Sequence, residues 1–380
     1  MLTTIENLKR VKNYWPSYDS KIAVCMSGGV DSSVSTYLLA KKGYETIGLT
    51  GWLIKGSGRC CDNGMVDAAK VSEQLGITHV SKDLRVFFKQ EIVDPFISSY
   101  RAGSTPIPCI TCNTSIKWGA LMQYALDELD CTHIATGHYA KLTVEACHSK
   151  PVFKIVRPKD TKKDQTFMLW GLTQDVLSKS VFPLGDLTKD AVRELAREAN
   201  LSVAEKEESQ DICFVSEKEG TQGFLGKFLQ AKEGLIIENK TRKVLGSHNG
   251  THNYTIGQRK GLGIAYDEPL YVISLDVEKN VVYAGTKEEL EGYELIAKDV
   301  NWILPPVEIT DHSFLRAGQH LRTMAKVRYN SVTSPATVYT LENNQIKVIF
   351  DSPQSAIAPG QSMVMYDETD QILLGGGWIS

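Results

Sequence analysis

Two stretches of this sequence have residue types and spacing suited to chemistry. The first is Ser27-Gly28-Gly29-Val30-Asp31-Ser32-Ser33. Its glycines let a backbone approach an anion closely, and a helix opening at the turn adds unsatisfied N–H groups and a partial positive charge. Ser27, Ser32 and Ser33 add hydroxyl donors. Asp31 would repel phosphate directly, so its expected role is through Mg²⁺. No Gly-Lys-Ser/Thr closes the run, so it is not a Walker loop. The dipeptide Gly28-Gly29 alone reads as a plain glycine turn. The whole run, set between a strand and a helix, reads as a nucleotide site.

The second stretch is Thr105-Pro106-Ile107-Pro108-Cys109-Ile110-Thr111-Cys112-Asn113, expected just before a helix that opens near Thr114. A thiol at a helix N-terminus has a lowered pKa and is a better nucleophile. Cys213, in Glu208-Ser209-Gln210-Asp211-Ile212-Cys213-Phe214, is a further candidate, although alone it reads equally well as a small buried hydrophobe. Cys-x-x-Cys is also half of a zinc pattern, but no second Cys-x-x-Cys matches it. Cys60-Cys61 read as a ligand pair or as loop residues. Cys25 by itself reads as core, and Cys131 and Cys147 carry no signal.

The elements that must hold these residues follow from periodicity. Strands are expected at 21–26, 45–50, 78–82 and 132–136, and helices at 31–42, 64–75, 84–100, 114–129 and 188–199. That alternation is α/β: a doubly wound parallel sheet, with ligands beyond the carboxyl ends of its strands. Residues 152–156 look like an excursion from it. Beyond Ser216 the rhythm changes to short strands with glycine turns, at 235–238, 243–245, 270–275 and 281–284, then at 326–329, 336–340, 345–350 and 362–366. These suggest a small β-rich domain followed by a C-terminal β-barrel, with expected domains 1–218, 219–288 and 289–380.

Composition is that of a soluble globular protein, with eight cysteines and a net charge of −3. No apolar window is long enough to span a membrane, and residues 1–20 lack a signal-peptide core, so a cytoplasmic location is expected, with cysteines as thiols, ligands or catalysts. Residues 239–266 and 312–341 carry lysines and arginines without acids, while 205–219 is acidic. Local basic faces without a global excess suit a shaped anionic partner.

The first run resembles the pyrophosphate loop of the N-type ATP pyrophosphatases, which cleave ATP to AMP and pyrophosphate. With it occur, in order, Ala135-Thr136-Gly137-His138-Tyr139-Ala140, Lys163-Asp164-Gln165-Thr166, Gly185-Asp186-Leu187-Thr188-Lys189, Gln210-Asp211-Ile212-Cys213-Phe214, Tyr254-Thr255-Ile256-Gly257-Gln258-Arg259-Lys260-Gly261-Leu262-Gly263, Lys326-Val327-Arg328-Tyr329 and Pro359-Gly360-Gln361. Together they resemble the tRNA-specific 2-thiouridylase family, which thiolates uridine 34 of the anticodon, over residues 21–377. The resemblance implies ATP with Mg²⁺ as cofactors, bound by Cys25, Met26, Ser27, Gly28, Gly29, Val30, Asp31, Ser32, Gly51 and Gly137. It implies a persulfide on Cys213, received from a sulfur-relay donor protein, with Cys112 as the partner nucleophile. It places the tRNA anticodon stem-loop on His138, Lys163, Asp164, Gln165, Arg328, Tyr329 and Gln361, and implies neither membrane nor DNA as a partner.

One departure stands out. Many members of that family read Asn-Pro-Asp-x-x-Cys where this chain has Ile107-Pro108-Cys109-x-x-Cys112. A third thiol thus enters, and Cys109, Cys112 and Cys213 become an alternative ligand set for an iron–sulfur cluster. Two other classes compete: an amide-forming ATP ligase on the same loop, against which the Cys112/Cys213 pair argues, and a non-catalytic RNA-binding protein that retains ATP and releases no AMP.

Overall fold

The computed structural model describes residues 12–55, 62–147, 150–207, 212–216, 218–304 and 320–380; Cys60, Cys61, Gln210 and Asp211 lie outside these. Five parallel strands form the first sheet, in the order Thr78–Asp83, Glu45–Trp52, Lys21–Cys25, His133–Ala135 and Ser180–Val181. Alternate residues of a strand face opposite sides of its sheet. Accordingly Ala23, Leu49 and Ile134 enter one buried cluster, while Ile22, Val24 and Ala135 enter the other. From the central strand Lys21–Cys25 the sheet extends both ways, to Glu45–Trp52 on one side and to His133–Ala135 on the other. A crevice opens at such a switch point, beyond the strand ends.

The helices over this sheet depart from expectation in one informative way. The run expected from 114 begins earlier: Pro108–Thr111 is α-helical, Cys112–Leu121 is π-helical, and Met122–Glu128 returns to α. Proline opens the first turn, where its missing N–H costs nothing. Cys109, rather than Cys112, therefore holds the helix-terminal position, and Cys112 begins the wider π segment. The helix expected at 84–100 is likewise three pieces, Arg85–Phe88, the π segment Lys89–Val93 and Asp94–Arg101.

The central part is a four-stranded sheet of Gly234–Glu238, Val244–His248, Tyr271–Asp276 and Val281–Gly285. In the C-terminal part, Glu291–Trp302 pairs with both Ile346–Ser355 and Ile372–Ile379, which closes six strands into a barrel. The excursion is a hairpin, Lys141–Cys147 with Lys150–Val156, and it joins the barrel's sheet through Ile372↔Val156 and Leu373↔Ile155. Long-range β pairing of this kind leaves no local signature. A second correction concerns 326–329. The strand is His320–Lys326, and the chain turns just after it, with Ser331 N–H donating to Arg328 O at 3.1 Å. Arg328 and Tyr329 thus sit in the turn rather than on a strand face.

Candidate active site

The run 27–33 leaves the strand Lys21–Cys25 and enters the helix Val30–Lys41. Gly28 has φ +69°, and a Cβ there would lie 2.3 Å from Gly64 O. Only glycine fits such a left-handed position pressed against backbone. The serine hydroxyls shape the turn itself: Ser32 Oγ and Ser33 Oγ donate to Gly29 O at 3.1 and 2.9 Å, and Ser27 N–H donates to Ser32 Oγ at 3.3 Å. Asp31 Oδ1 accepts from Tyr139 Oη at 2.8 Å and from Lys189 Nζ at 2.7 Å. Lys206 Nζ donates to Gly28 O at 2.9 Å and pairs with Asp67 at 2.5 Å. At Gly137 a Cβ would lie 2.7 Å from Ser32 N and 2.8 Å from Asp31 C, so the turn after His133–Ala135 lies flush against the loop. Mg²⁺ needs few protein ligands, one or two carboxylates with substrate phosphates and water. Asp31, at the loop's helix entry, fits that requirement.

A cavity of about 210 Å³ opens at the switch point. Its walls bring together Cys25, Met26, Ser27, Asp31, Ser32, Gly51 and Gly137 with Cys112, His138 and Gln165, closed by Leu49, Leu53, Ile116 and Leu121. Gly28 and Gly29 shape the turn without lining the cavity, and Val30 is buried in the core beside it. Burial pushes the Cys25 thiol up to about 12, against the pull of the nearby Lys117 ammonium. A thiol so raised is a poor nucleophile at neutral pH. His138 is buried, stacked on Trp118 at 5.5 Å, with Nδ1 2.8 Å from Thr136 Oγ1 and Nε2 3.4 Å from Lys117 Nζ. Burial first, and Lys117 second, hold its pKa well below the ordinary histidine value. Gln165 Oε1 accepts from Tyr139 N–H at 3.0 Å, which fixes its side chain against the same turn.

The remaining sequence candidates lie outside the cavity walls. Asp164 is occupied internally, bonded to the Arg157 guanidinium and to Thr166 N–H at 2.9 Å and Thr166 Oγ1 at 2.6 Å. Tyr329 Oη donates to Asp164 O at 3.2 Å, and its ring packs edge-on against Phe167. Burial, then the nearby Asp164 and Cys109, raise the Tyr329 phenol. Lys163 and Arg328 are partly exposed. Gln361 Nε2 donates to Thr105 O at 2.6 Å and Thr105 N–H donates to Pro359 O at 3.1 Å, so the barrel grips the segment that leads to Cys109.

Cys109 is exposed, while Cys112 and Cys213 are partly buried, and no disulfide joins them. Phe214 anchors the Cys213 segment on Phe88, Phe96 and Phe224 through edge-on ring contacts. Among the described residues no three His, Cys, Asp or Glu side chains gather as a metal site. Sequence reasoning missed Lys117, Lys189, Tyr139 and Lys206. Lys189 and Tyr139 stood within two of the quoted runs, without a role. Lys117 and Lys206 had no signal, because a lone lysine on a helix or loop reads as solvated.

Comparison with known proteins follows this geometry. Residues 20–217 match the model of the tRNA methyl transferase HUP domain, 222–286 the tRNA methyl transferase PRC-barrel domain, and 293–379 the aminomethyltransferase beta-barrel domain. The tRNA-specific 2-thiouridylase MnmA of Nostoc punctiforme is 45% identical over 359 residues, covering 94% of this chain and 98% of that protein. That of Microcystis aeruginosa is 44% identical, covering 95% and 98%. Among solved structures, the U34-tRNA thiolase NcsA of Methanococcus maripaludis aligns with TM-score 0.34 at 22% identity, over 52% of this chain and 61% of that one. With near-complete coverage in both directions and all three domain models in order, this chain belongs to the tRNA-specific 2-thiouridylase family.

Proposed function

We propose that this chain thiolates uridine 34 of tRNA at C2, using ATP to activate the C2 oxygen and a cysteine persulfide to deliver sulfur. One observation carries the reading: the phosphate loop and Cys112 line the same cavity. The C2 carbonyl of uracil is a poor electrophile with a poor leaving oxygen. Attack of that oxygen on the α-phosphorus of ATP expels pyrophosphate and turns the oxygen into part of an AMP leaving group. The loop 27–33 and its helix N-terminus hold the phosphates, and Asp31 holds Mg²⁺, which neutralises phosphate charge when bound.

A persulfide on Cys213, supplied by a sulfur-relay protein, then attacks C2, and AMP leaves with the bonding pair. The Cys112 thiolate attacks Cys213 Sγ, the sulfur–sulfur bond breaks towards the base, and 2-thiouridine is released. A Cys112–Cys213 disulfide remains for a dithiol reductant to reopen. Bases are cheapest to extrude from a single-stranded anticodon loop. Lys163 and Arg328 contact the phosphates of the stem-loop in this reading, with Tyr329 and Gln361 beside them. The working division of the chain is 1–218, 219–288 and 289–380.

The test is product analysis with an anticodon stem-loop RNA, ATP and a persulfide donor. AMP and pyrophosphate should form only with RNA present, and Cys213→Ser should abolish 2-thiouridine. ATP cleavage indifferent to RNA, or thiolation that survives Cys213→Ser, would refute the proposal.

A further inference from the structure

The π segment Cys112–Leu121 gives the cavity a cation that no part of the reading above uses. In a π-helix the i→i+5 bond closes each turn, so residues four and five apart share a face. Cys112, Ile116, Lys117 and Leu121 follow that spacing, and all four line the cavity. In an α-helix, with about 3.6 residues per turn, Lys117 would swing away from Cys112.

Lys117 is also held in place. Its Nζ donates to Asn113 Oδ1 at 2.9 Å and reaches His138 Nε2 at 3.4 Å. An ammonium only donates, so Nε2 is the acceptor and the ring proton sits on Nδ1, facing Thr136 Oγ1 at 2.8 Å. The depressed pKa of His138 agrees with a neutral ring. Both partners of Lys117 are thus neutral. Across the cavity, Asp31 is paired with Lys189. A fixed cation with neutral partners, between a phosphate loop and a thiol, is arranged to receive an anion.

We propose that Lys117 is a catalytic residue that binds the α-phosphate of ATP and keeps hold of it on the adenylated base until AMP departs. This inference rests on the reading of the cavity as the site of nucleotide activation. As the bond from O2 to the α-phosphorus forms, the bond to pyrophosphate breaks and pyrophosphate takes the pair. As sulfur bonds to C2, the C2–O2 bond breaks and AMP takes the pair. Each step changes charge on the phosphate that Lys117 faces. His138 and Asn113 act through Lys117 as positioning residues.

The test uses the full chain with ATP and an anticodon stem-loop RNA, measuring single-turnover pyrophosphate release without a sulfur source, and AMP and 2-thiouridine formation once a persulfide donor is added. Lys117→Met should slow release by about 10²-fold, the usual loss for one preorganised charge at a reacting group, with RNA affinity and thermal midpoint retained. Lys117→Arg should recover about a tenth or more of the wild-type rate, which a purely steric role would not produce. Should Lys117→Met not fold, Lys117→Gln, which keeps a donor towards Asn113 and His138, decides in its place. Release within about threefold of wild type in the neutral variant would overturn the inference. So would intact release with lost sulfur transfer, since that would place the ammonium at the thiol. Absence of RNA-dependent pyrophosphate release from the wild-type protein would instead refute the function itself, and this inference with it.

Discussion

At the residue scale, the site is defined by close backbone approach. Gly137 and Gly51 both line the cavity, but their surroundings differ. A Cβ on Gly137 meets the Asp31–Ser32 backbone at 2.7 to 2.8 Å, whereas on Gly51 it meets methyl groups of Leu53 and Leu121 at 3.2 Å or more. Backbone cannot yield and leucine methyls can. Gly137→Ala should therefore lower stability by about 1–3 kcal/mol and depress ATP turnover, while Gly51→Ala should cost less than about 1 kcal/mol. Chemical denaturation of both variants checks this, and equal losses would show that the two turns are not flush. A second expectation concerns acid. The folded-state pKa of His138 is depressed by burial and then by Lys117, so between the unfolded value near 6.5 and that lower value the unfolded chain binds the extra proton. Stability contributed by this group is present above that window and is lost as pH falls through it, by up to about 1.4 kcal/mol per pH unit. His138→Asn should flatten the slope of unfolding free energy against pH below about 6.5. An unchanged slope would mean that the ring is not held neutral.

At the element scale, the strand–loop–helix around Ser27 to Ser33 was legible because its apolar run, glycines and helix stop are local signals. The thiol segment was legible only in part. Its pair of thiols, Cys109 and Cys112, stood out by spacing, but the early helix start at Pro108 and the π geometry did not, since π turns are set by packing rather than by residue pattern. Lys117 was hidden for that reason. The grip of Gln361 on Thr105 was equally invisible, because it joins positions 256 residues apart. Removing that bond with Gln361→Ala should cost about 1 kcal/mol of stability, the usual worth of one hydrogen bond. It should also loosen the cysteine segment, so Cys109 and Cys112 should alkylate faster with iodoacetamide. Unchanged alkylation rates would show that the barrel does not steady the thiols.

At the scale of the whole molecule, the first and third parts share one sheet and one buried cluster, while the central part keeps a cluster of its own around Ile236, Val272 and Val282. The hairpin of Lys141–Cys147 with Lys150–Val156 extends the barrel's sheet, and one buried cluster runs from Leu49 and Trp118 through Trp170 to Val338 and Leu373. Periodicity announced the α/β beginning and the β-rich remainder, but not the pairing of a hairpin from the first part with the barrel. Lys163 and Arg328 stand on different parts, and both are partly exposed. If both neutralise RNA phosphates, Lys163→Ala and Arg328→Ala should each weaken RNA binding and reduce the slope of log affinity against log salt by about one. Slopes equal to wild type in both variants would mark them as solvated side chains. The central claim is that this chain puts sulfur on uridine 34. Mass analysis of anticodon nucleosides from cells lacking the protein tests it most directly. The account expects 2-thiouridine at that position to disappear, and to return with the wild-type chain but not with Cys213→Ser. An undiminished 2-thiouridine content in cells lacking the protein would contradict it.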